Sequence, residues 1–370
     1  MNRRDFLVRS GSFVFGATVI GVTGSSLIGC EFNSVDPITT GTSVSFLTPV
    51  DTFYYKNGAE TSIRDWSLPI IDQGSWRLRI DGLVSSPLDI SYADIEAESA
   101  NTINLLKTMR CVIDSNDVQG LIGTAVWRGV PLRIFLERAG INTSQTKRLR
   151  LYGEDTFTNN ITLDEALNPG EGFIEPLLVT HMNGQPLTAE HGAPVRLIIH
   201  NSFGYKNVKW LTRIEATDSD EVFGTYQDAG FVDDGVIRVV SRATDPLENG
   251  TVPAGTVEVQ GFAVSGEAGI ASVMISVNGG AFAEATIQSE EEVLASDPLI
   301  AESIQFTQAE NFTYPFKAVW VKWSYQFQAT PGNYNVQIKA VDGAGNEQPE
   351  IDTEIADSIN AISSITFSVV

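Results

Sequence analysis

The sequence predicts two domains in series, an α+β domain followed by an all-β sandwich of immunoglobulin-like type. Three observations carry this expectation. A chain of 370 residues is longer than one ordinary core accommodates. Up to about residue 245, amphipathic helix patterns alternate with strand patterns. Beyond that point helix signals vanish, and short strands recur between turns rich in Gly and Asn. Hydrophobic residues at 42% and charged residues at 19% are globular proportions rather than disordered ones.

Ahead of both domains stands an address. Met1-Asn2-Arg3-Arg4-Asp5-Phe6-Leu7 precedes a weakly apolar run of small residues from about Gly11 to Gly29. A basic start before an apolar run is a secretory signal. Paired arginines followed by Phe-Leu resemble a twin-arginine signal. The run is about long enough for a membrane helix, but its Gly, Ser and Thr make it a weak one. Leu27-Ile28-Gly29-Cys30 resembles a lipobox, so residues 1–29 read as a removable signal and Cys30 as a lipidated residue. Two or three acyl chains would hold the chain to a bilayer. Residues 30–48, rich in Ser, Thr, Gly, Asp and Pro, read as a flexible tether. The expected location is therefore outside the cytoplasm, periplasmic or at the cell surface, on a bacterial membrane.

The first domain is expected over residues 49–245. Ser75–Gly82 alternates polar and apolar residues and reads as a strand. Ser91–Ala97 reads as a short helix. Leu132–Gly140 is an amphipathic helix with a Gly stop. Leu163–Leu167 is a short helix capped by Thr162. Pro194–His200 and Val208–Glu215 read as strands. The second domain follows over 246–370. Its strand patterns are Val257–Gly261, Ile270–Val277, Tyr325–Ala329, Tyr334–Val341 and Ile365–Val370. Val277-Asn-Gly-Gly280 is a hairpin turn, because Asn and Gly tolerate positive φ. Residues from Gln288 to about Pro315 break the rhythm and read as a long loop or insertion.

Composition excludes several classes of function. Lys and Arg number 24 against 46 Asp and Glu, a formal charge of −22. Such a surface repels a phosphate backbone, so nucleic acid is not an expected partner. Two cysteines, Cys30 and Cys111, exclude a disulfide framework and any Cys-rich zinc or iron–sulfur site. Three histidines leave little for a multi-His metal centre. No C-x-x-C-H is present to attach haem.

Cys111 is the only thiol left once Cys30 is acylated. A lone cysteine is most often a small buried hydrophobe. It can also be a soft metal ligand, and adjacent Arg110 would lower its pKa. Downstream stand Gly123-Thr-Ala-Val-Trp-Arg-Gly-Val-Pro-Leu132, then Met182-Asn-Gly-Gln-Pro-Leu-Thr-Ala-Glu-His-Gly-Ala-Pro-Val-Arg-Leu197, then Gly204-Tyr-Lys-Asn-Val-Lys-Trp-Leu-Thr-Arg-Ile214. In order and spacing these resemble the sulfite oxidase family: a lone cysteine, W-x-G-V-P-L, N-G-x-P-L-x-x-x-H-G-x-P-V-R and V-K-W. Val252–Ala263 and Ile275–Gly280 resemble that family's C-terminal dimerisation domain. The resemblance implies a molybdenum–molybdopterin cofactor, oxygen-atom transfer to or from a small sulfur-containing substrate, and a homodimer. It implies Cys111 as metal ligand. It implies His191, Arg196, Lys206 and Lys209 as contacts to the pterin and its phosphate. Read singly, His191 is equally a turn residue, Arg196 a solvated strand residue, and Lys209 and Trp210 the two faces of a strand.

The departures lie in the substrate pocket. The family's F-x-x-R-N-H corresponds to Phe53-Tyr-Tyr-Lys-Asn-Gly58. Lys56 replaces the arginine, keeping charge and losing the bidentate fork. Asn57 matches and joins the cofactor set, while Gly58 replaces a histidine. Val112–Asn116 lacks the family's arginines, and Asp114 adds a negative charge there. Counting onward places Phe231 at the position of an active-site tyrosine, with Tyr226 nearby. A phenylalanine has no hydrogen bond to give. With no haem site on the chain, electrons would pass to a separate partner such as a c-type cytochrome. Two other readings stay open on residues alone. One is a cofactor-free surface lipoprotein acting as a binding or adhesion module. The other is a cysteine hydrolase using Cys111 with one of His181, His191 or His200 as base.

Overall fold

The computed structural model describes residues 45–56 and 67–370. Cys30, Asn57 and Gly58 lie outside the described residues. The first half carries strands β1 (Arg77–Gly82), β2 (Leu88–Ser91), β3 (Ile103–Arg110), β4 (Ile122–Pro131), β5 (Arg148–Gly153), β6 (Thr158–Thr162), β7 (Leu177–Met182), β8 (Gln185–Pro186), β9 (Arg196–Ile198) and β10 (Leu211–Thr217). They form two sheets. One has the order β2-β1-β10-β5-β6, with β1 and β10 parallel and the other pairs antiparallel. The other has the order β3-β4-β7-β8, with β9 also on β7.

Helices α1 (Tyr92–Glu96), α2 (Leu132–Arg138) and α3 (Leu163–Leu167) cover the first sheet, and α4 (Thr225–Asp228) follows it. Ser91 and Thr162 each close a capping box, accepting from the N3 amide while the N3 carboxylate returns to the cap. Apolar residues at Leu132, Phe135 and Leu136 put one face of α2 into a core with Leu78, Ile80, Leu149, Leu151 and Ile214.

The second half is a two-sheet sandwich. Its strands are β11 (Val240–Asp245), β12 (Gly250–Val252), β13 (Gly255–Val264), β14 (Ile270–Val277), β15 (Ala283–Glu284), β16 (Thr286–Ile287), β17 (Val321–Ala329), β18 (Gly332–Asp342) and β19 (Ser363–Val369). The sheets run β11-β13-β17-β16 and β12-β19-β18-β14-β15. Alternate residues such as Val257 and Val259, Val273 and Ile275, and Val336 and Ile338 fill the space between them. Asn278 and Gly279 take φ of 51° and 73°, as the turn after β14 requires.

Three expectations are corrected. Pro194–His200 is a strand only at Arg196–Ile198. Val208–Trp210 is not strand, because Trp210 sits at φ 48° and turns the chain before β10 begins. The stretch 288–315 is not a plain loop. It folds into α5 (Glu290–Ser296), α6 (Pro298–Ala301) and α7 (Ile304–Thr307). Ser289 and Asp297 supply side-chain caps that a strand-based reading of this half passes over. These helices join a mixed core in which Val293, Ile300, Phe316 and Trp320 meet Leu106, Phe203 and Tyr205 of the first half. Among the described residues no helix is long and apolar enough to cross a membrane.

Candidate active site

Loops at residues 54–56, 111, 155–157, 191 and 204–209 converge on one pocket of about 650 Å³, its solvent mouth included. Cys111, Lys56, His191, Arg196 and Lys209 all line it. β3 ends at Arg110 and delivers Cys111 into a loop fixed by its amide, which donates to the Leu121 carbonyl at 2.9 Å. Cys111 is a buried free thiol, and burial pushes its pKa up. Such a sulfur ionises only when a cation or metal compensates the charge.

His191 donates from Nε2 to the Val50 carbonyl at 3.1 Å, since a carbonyl can only accept. Burial, with help from Arg196 and Lys209, pulls its pKa down to about 4, so the ring is neutral near pH 7. Phe53 and Tyr55 stand edge-on to it at 5.8 and 6.1 Å. Gly192 follows at φ 100°, and a Cβ there would lie 2.9 Å from the Lys209 Cβ. The His-Gly pair thus lets Lys209 pack against the loop. Lys209 Nζ donates to the carbonyls of Glu190 at 3.0 Å and Lys56 at 3.3 Å, and stands 4.4 Å over the Trp210 ring. Burial lowers its pKa strongly and raises that of Asp155, which lines the same pocket.

Arg196 opens β9. Its terminal nitrogens donate to the carbonyls of His191 at 3.0 Å and Asn207 at 3.1 Å. Its guanidinium lies 5.1 Å over Trp127, the tryptophan of the W-x-G motif. Gly129 in that motif admits the β7 backbone, because a Cβ would meet the Leu178 carbonyl at 2.5 Å. Burial lowers the Arg196 pKa only to about 10, so it remains a cation. Among the described residues it makes no ion pair, and its Nε has no partner. A buried cation held by no ion pair fits an anionic ligand. A thiol beside it fits a soft metal. The residues present therefore suit a thiolate-ligated metal carried by a phosphate-bearing group.

Lys206 does not line the pocket. It is 1% exposed and points away from the pocket. Its Nζ donates to the carbonyls of Asn160 at 2.6 Å and Asp233 at 2.7 Å, with the Asp233 carboxylate at 3.5 Å. Phe231 is not among the pocket's lining residues. It packs behind Tyr226, ring centroids 5.2 Å apart, and Tyr226 lines the pocket instead. Arg110 does lower the Cys111 pKa, but burial outweighs it and the net shift is upward. Its Nε pairs with Asp114 at 3.0 Å and its NH1 donates to Asn360 at 2.6 Å. Asp114 is held between Arg110 and Arg242 in a buried cluster, and its charge still raises the pKa of Cys111 and Tyr54. Tyr54, Tyr55, Asp155 and Tyr205 line the pocket and were not singled out from sequence. Tyr54 and Tyr55 adjoin Lys56 in the motif, which was their only signal.

Residues 66–223 match the oxidoreductase molybdopterin binding domain, and residues 235–367 match the Mo-co oxidoreductase dimerisation domain. The chain carries the two domains of the sulfite oxidase-like molybdopterin oxidoreductases. Its cofactor is molybdenum–molybdopterin. It is 28% identical to the sulfite oxidase of Arabidopsis thaliana over 83% of either chain. It is 27% identical to the mitochondrial sulfite oxidase of Rattus norvegicus, over 83% of this chain and 58% of that one. It is 28% identical to the NADH nitrate reductase of Solanum lycopersicum over 53% of this chain, and spans only 23% of that protein. The fold matches the sulfane dehydrogenase SoxCD from Paracoccus pantotrophus with a TM-score of 0.69 at 19% identity, over 94% of this chain and 86% of that one.

Proposed function

We propose that this oxidoreductase transfers an oxygen atom to or from a small, weakly charged sulfur compound. The observation that carries the reading is the convergence of Cys111 and unpaired Arg196 on one pocket. The cofactor supplies a two-electron couple able to move an oxygen atom. In the oxidising direction the oxygen comes from water, and two protons and two electrons leave. Cys111 would ligate molybdenum through its sulfur. Arg196, Lys209 and neutral His191 would hold the pterin and its phosphate, Arg196 through its unpaired donor.

The substrate class follows from what those residues leave over. With Arg196 and Lys209 committed to the cofactor, Lys56 is the remaining cation lining the pocket among the described residues, and Asp155 lines it too. The rest of the wall includes Tyr55, Phe157 and Tyr226. A sulfite dianion calls for a denser set of donors. A thioether, sulfoxide or sulfane suits this wall better. We assign electron exchange to a separate partner such as a c-type cytochrome, and homodimerisation to the second domain. Export by the twin-arginine route and a lipid on Cys30 complete the proposal, supported by the leader sequence. Nothing in the site favours the cofactor-free adhesion reading.

The test is molybdenum and pterin content per chain, purified from a host that makes the cofactor, beside Cys111→Ala. Near-stoichiometric metal and pterin are expected in the native chain, with metal lost in the variant. Folded native protein without pterin would overturn the proposal.

A further inference from the structure

We propose that the Tyr54 hydroxyl donates a hydrogen bond to an oxygen atom of the substrate or product held beside Cys111, making Tyr54 a catalytic residue. The inference rests on the reading above and names one contact within it. Tyr54 is 6% exposed and lines the pocket that Cys111 lines. Among the described residues its hydroxyl has no hydrogen-bond partner, not even the Cys111 sulfur. Buried polar atoms in folded proteins are nearly always paired, and leaving one unpaired costs stability.

Packing offers no use for this oxygen. The Tyr54 ring stacks on Phe53 with centroids 5.5 Å apart, and a phenylalanine ring would stack as well. The neighbouring backbone, however, is cut back around the oxygen. A Cβ at Gly204 would lie 2.8 Å from the Tyr54 hydroxyl and 3.6 Å from the Arg110 carbonyl. The oxygen therefore sits over Gly204, near where β3 gives way to Cys111. By contrast, the Tyr205 hydroxyl donates to the Val232 carbonyl at 2.6 Å and is spent. A phenol is a neutral donor, which matches an oxygen on a weakly charged sulfur compound. An unsatisfied donor kept at a reacting centre is the expected signature of a group paired only when ligand is bound.

Tyr54→Phe removes this oxygen and nothing else. Two measurements on the full chain decide the matter. In cofactor-free protein, from a host unable to make pterin, the variant should melt a few degrees above the native chain, since an unpaired buried hydroxyl is gone. In cofactor-loaded protein, with dimethyl sulfoxide as the probe, the variant should bind roughly tenfold more weakly, the worth of one hydrogen bond. Its molybdenum content should be unchanged. A lower melting point would mean that the hydroxyl is structurally paired, and would overturn the proposal. Equal sulfoxide affinity in the two proteins, or none in the loaded native protein, would also overturn it. Absence of molybdenum from the native chain would instead overturn the functional reading itself.

Discussion

Lys206 and Lys209 stand three positions apart in one motif and do different work. Both are buried cations whose pKa falls with burial, yet only Lys209 reaches the pocket. A turn of 3-10 type over Gly204–Lys206 aims Lys206 backward to the carbonyls of Asn160 and Asp233. The positive φ at Trp210 aims Lys209 forward. Residue identity and spacing were legible in the sequence, but the two reversals of direction were not, because both come from loop backbone without periodicity. Lys206→Met should therefore cost about 1–3 kcal/mol of stability, through the unpaired carbonyls and carboxylate left behind. It should leave pterin content intact in protein that still folds. Denaturant unfolding beside a pterin assay checks this. Loss of pterin at unchanged stability would return Lys206 to the cofactor.

At the scale of elements, the strand that ends at Cys111 lies on the border of its sheet. β3 has β4 on one side only, so its other edge offers free amides and carbonyls. Gln305 of α7 covers part of it. Its Oε1 accepts from the Leu106 amide at 3.3 Å, and its Nε2 donates to the Leu106 carbonyl at 2.7 Å, as a neighbouring strand would. The Thr108 amide donates to the Ala318 carbonyl, and the Trp320 amide to the Thr108 hydroxyl. The second half also grips the loop after the strand, through Arg242 on Asp114 at 2.7 Å and Asn360 on Arg110. Asp114→Asn would leave two buried guanidiniums facing a neutral amide. We expect a loss of roughly 3–5 kcal/mol. We also expect faster labelling of the Cys111 thiol in cofactor-free protein lacking Cys30. Unfolding and alkylation rates check the pair of expectations, and unchanged labelling would show that the clamp does not hold the cysteine. The strands here were legible from alternation. Their clasp was not, since it joins residues more than a hundred positions apart and nothing local marks Gln305 as a strand substitute.

Across the whole molecule, two buried neutral histidines set an acid limit. Burial lowers His191 to about 4 and His200 to about 3, from an ordinary 6.5. The unfolded chain takes up protons below 6.5 that the folded chain refuses, so stability is full above that pH and falls as pH drops below it. Between pH 6.5 and about 5 the loss should reach roughly 2 kcal/mol per histidine, before the carboxylates titrate. Denaturant midpoints of the cofactor-free chain across that range check the slope, and His200→Gln should about halve it. The two-domain plan was legible because helix patterns stop near Asp245 and strand patterns continue. The depth to which the second half reaches under the first was not, because α5 to α7 lie in sequence among the strands of the sandwich. That reach also sets an order of events during synthesis. The ribosome delivers the Cys111 loop early, but Arg242, Gln305 and Asn360, which brace it and the strand before it, arrive up to some 250 residues later. A nascent chain thus holds its cysteine in an unbraced loop until nearly the last strand has emerged, and a shortened chain would never brace the cysteine it already carries.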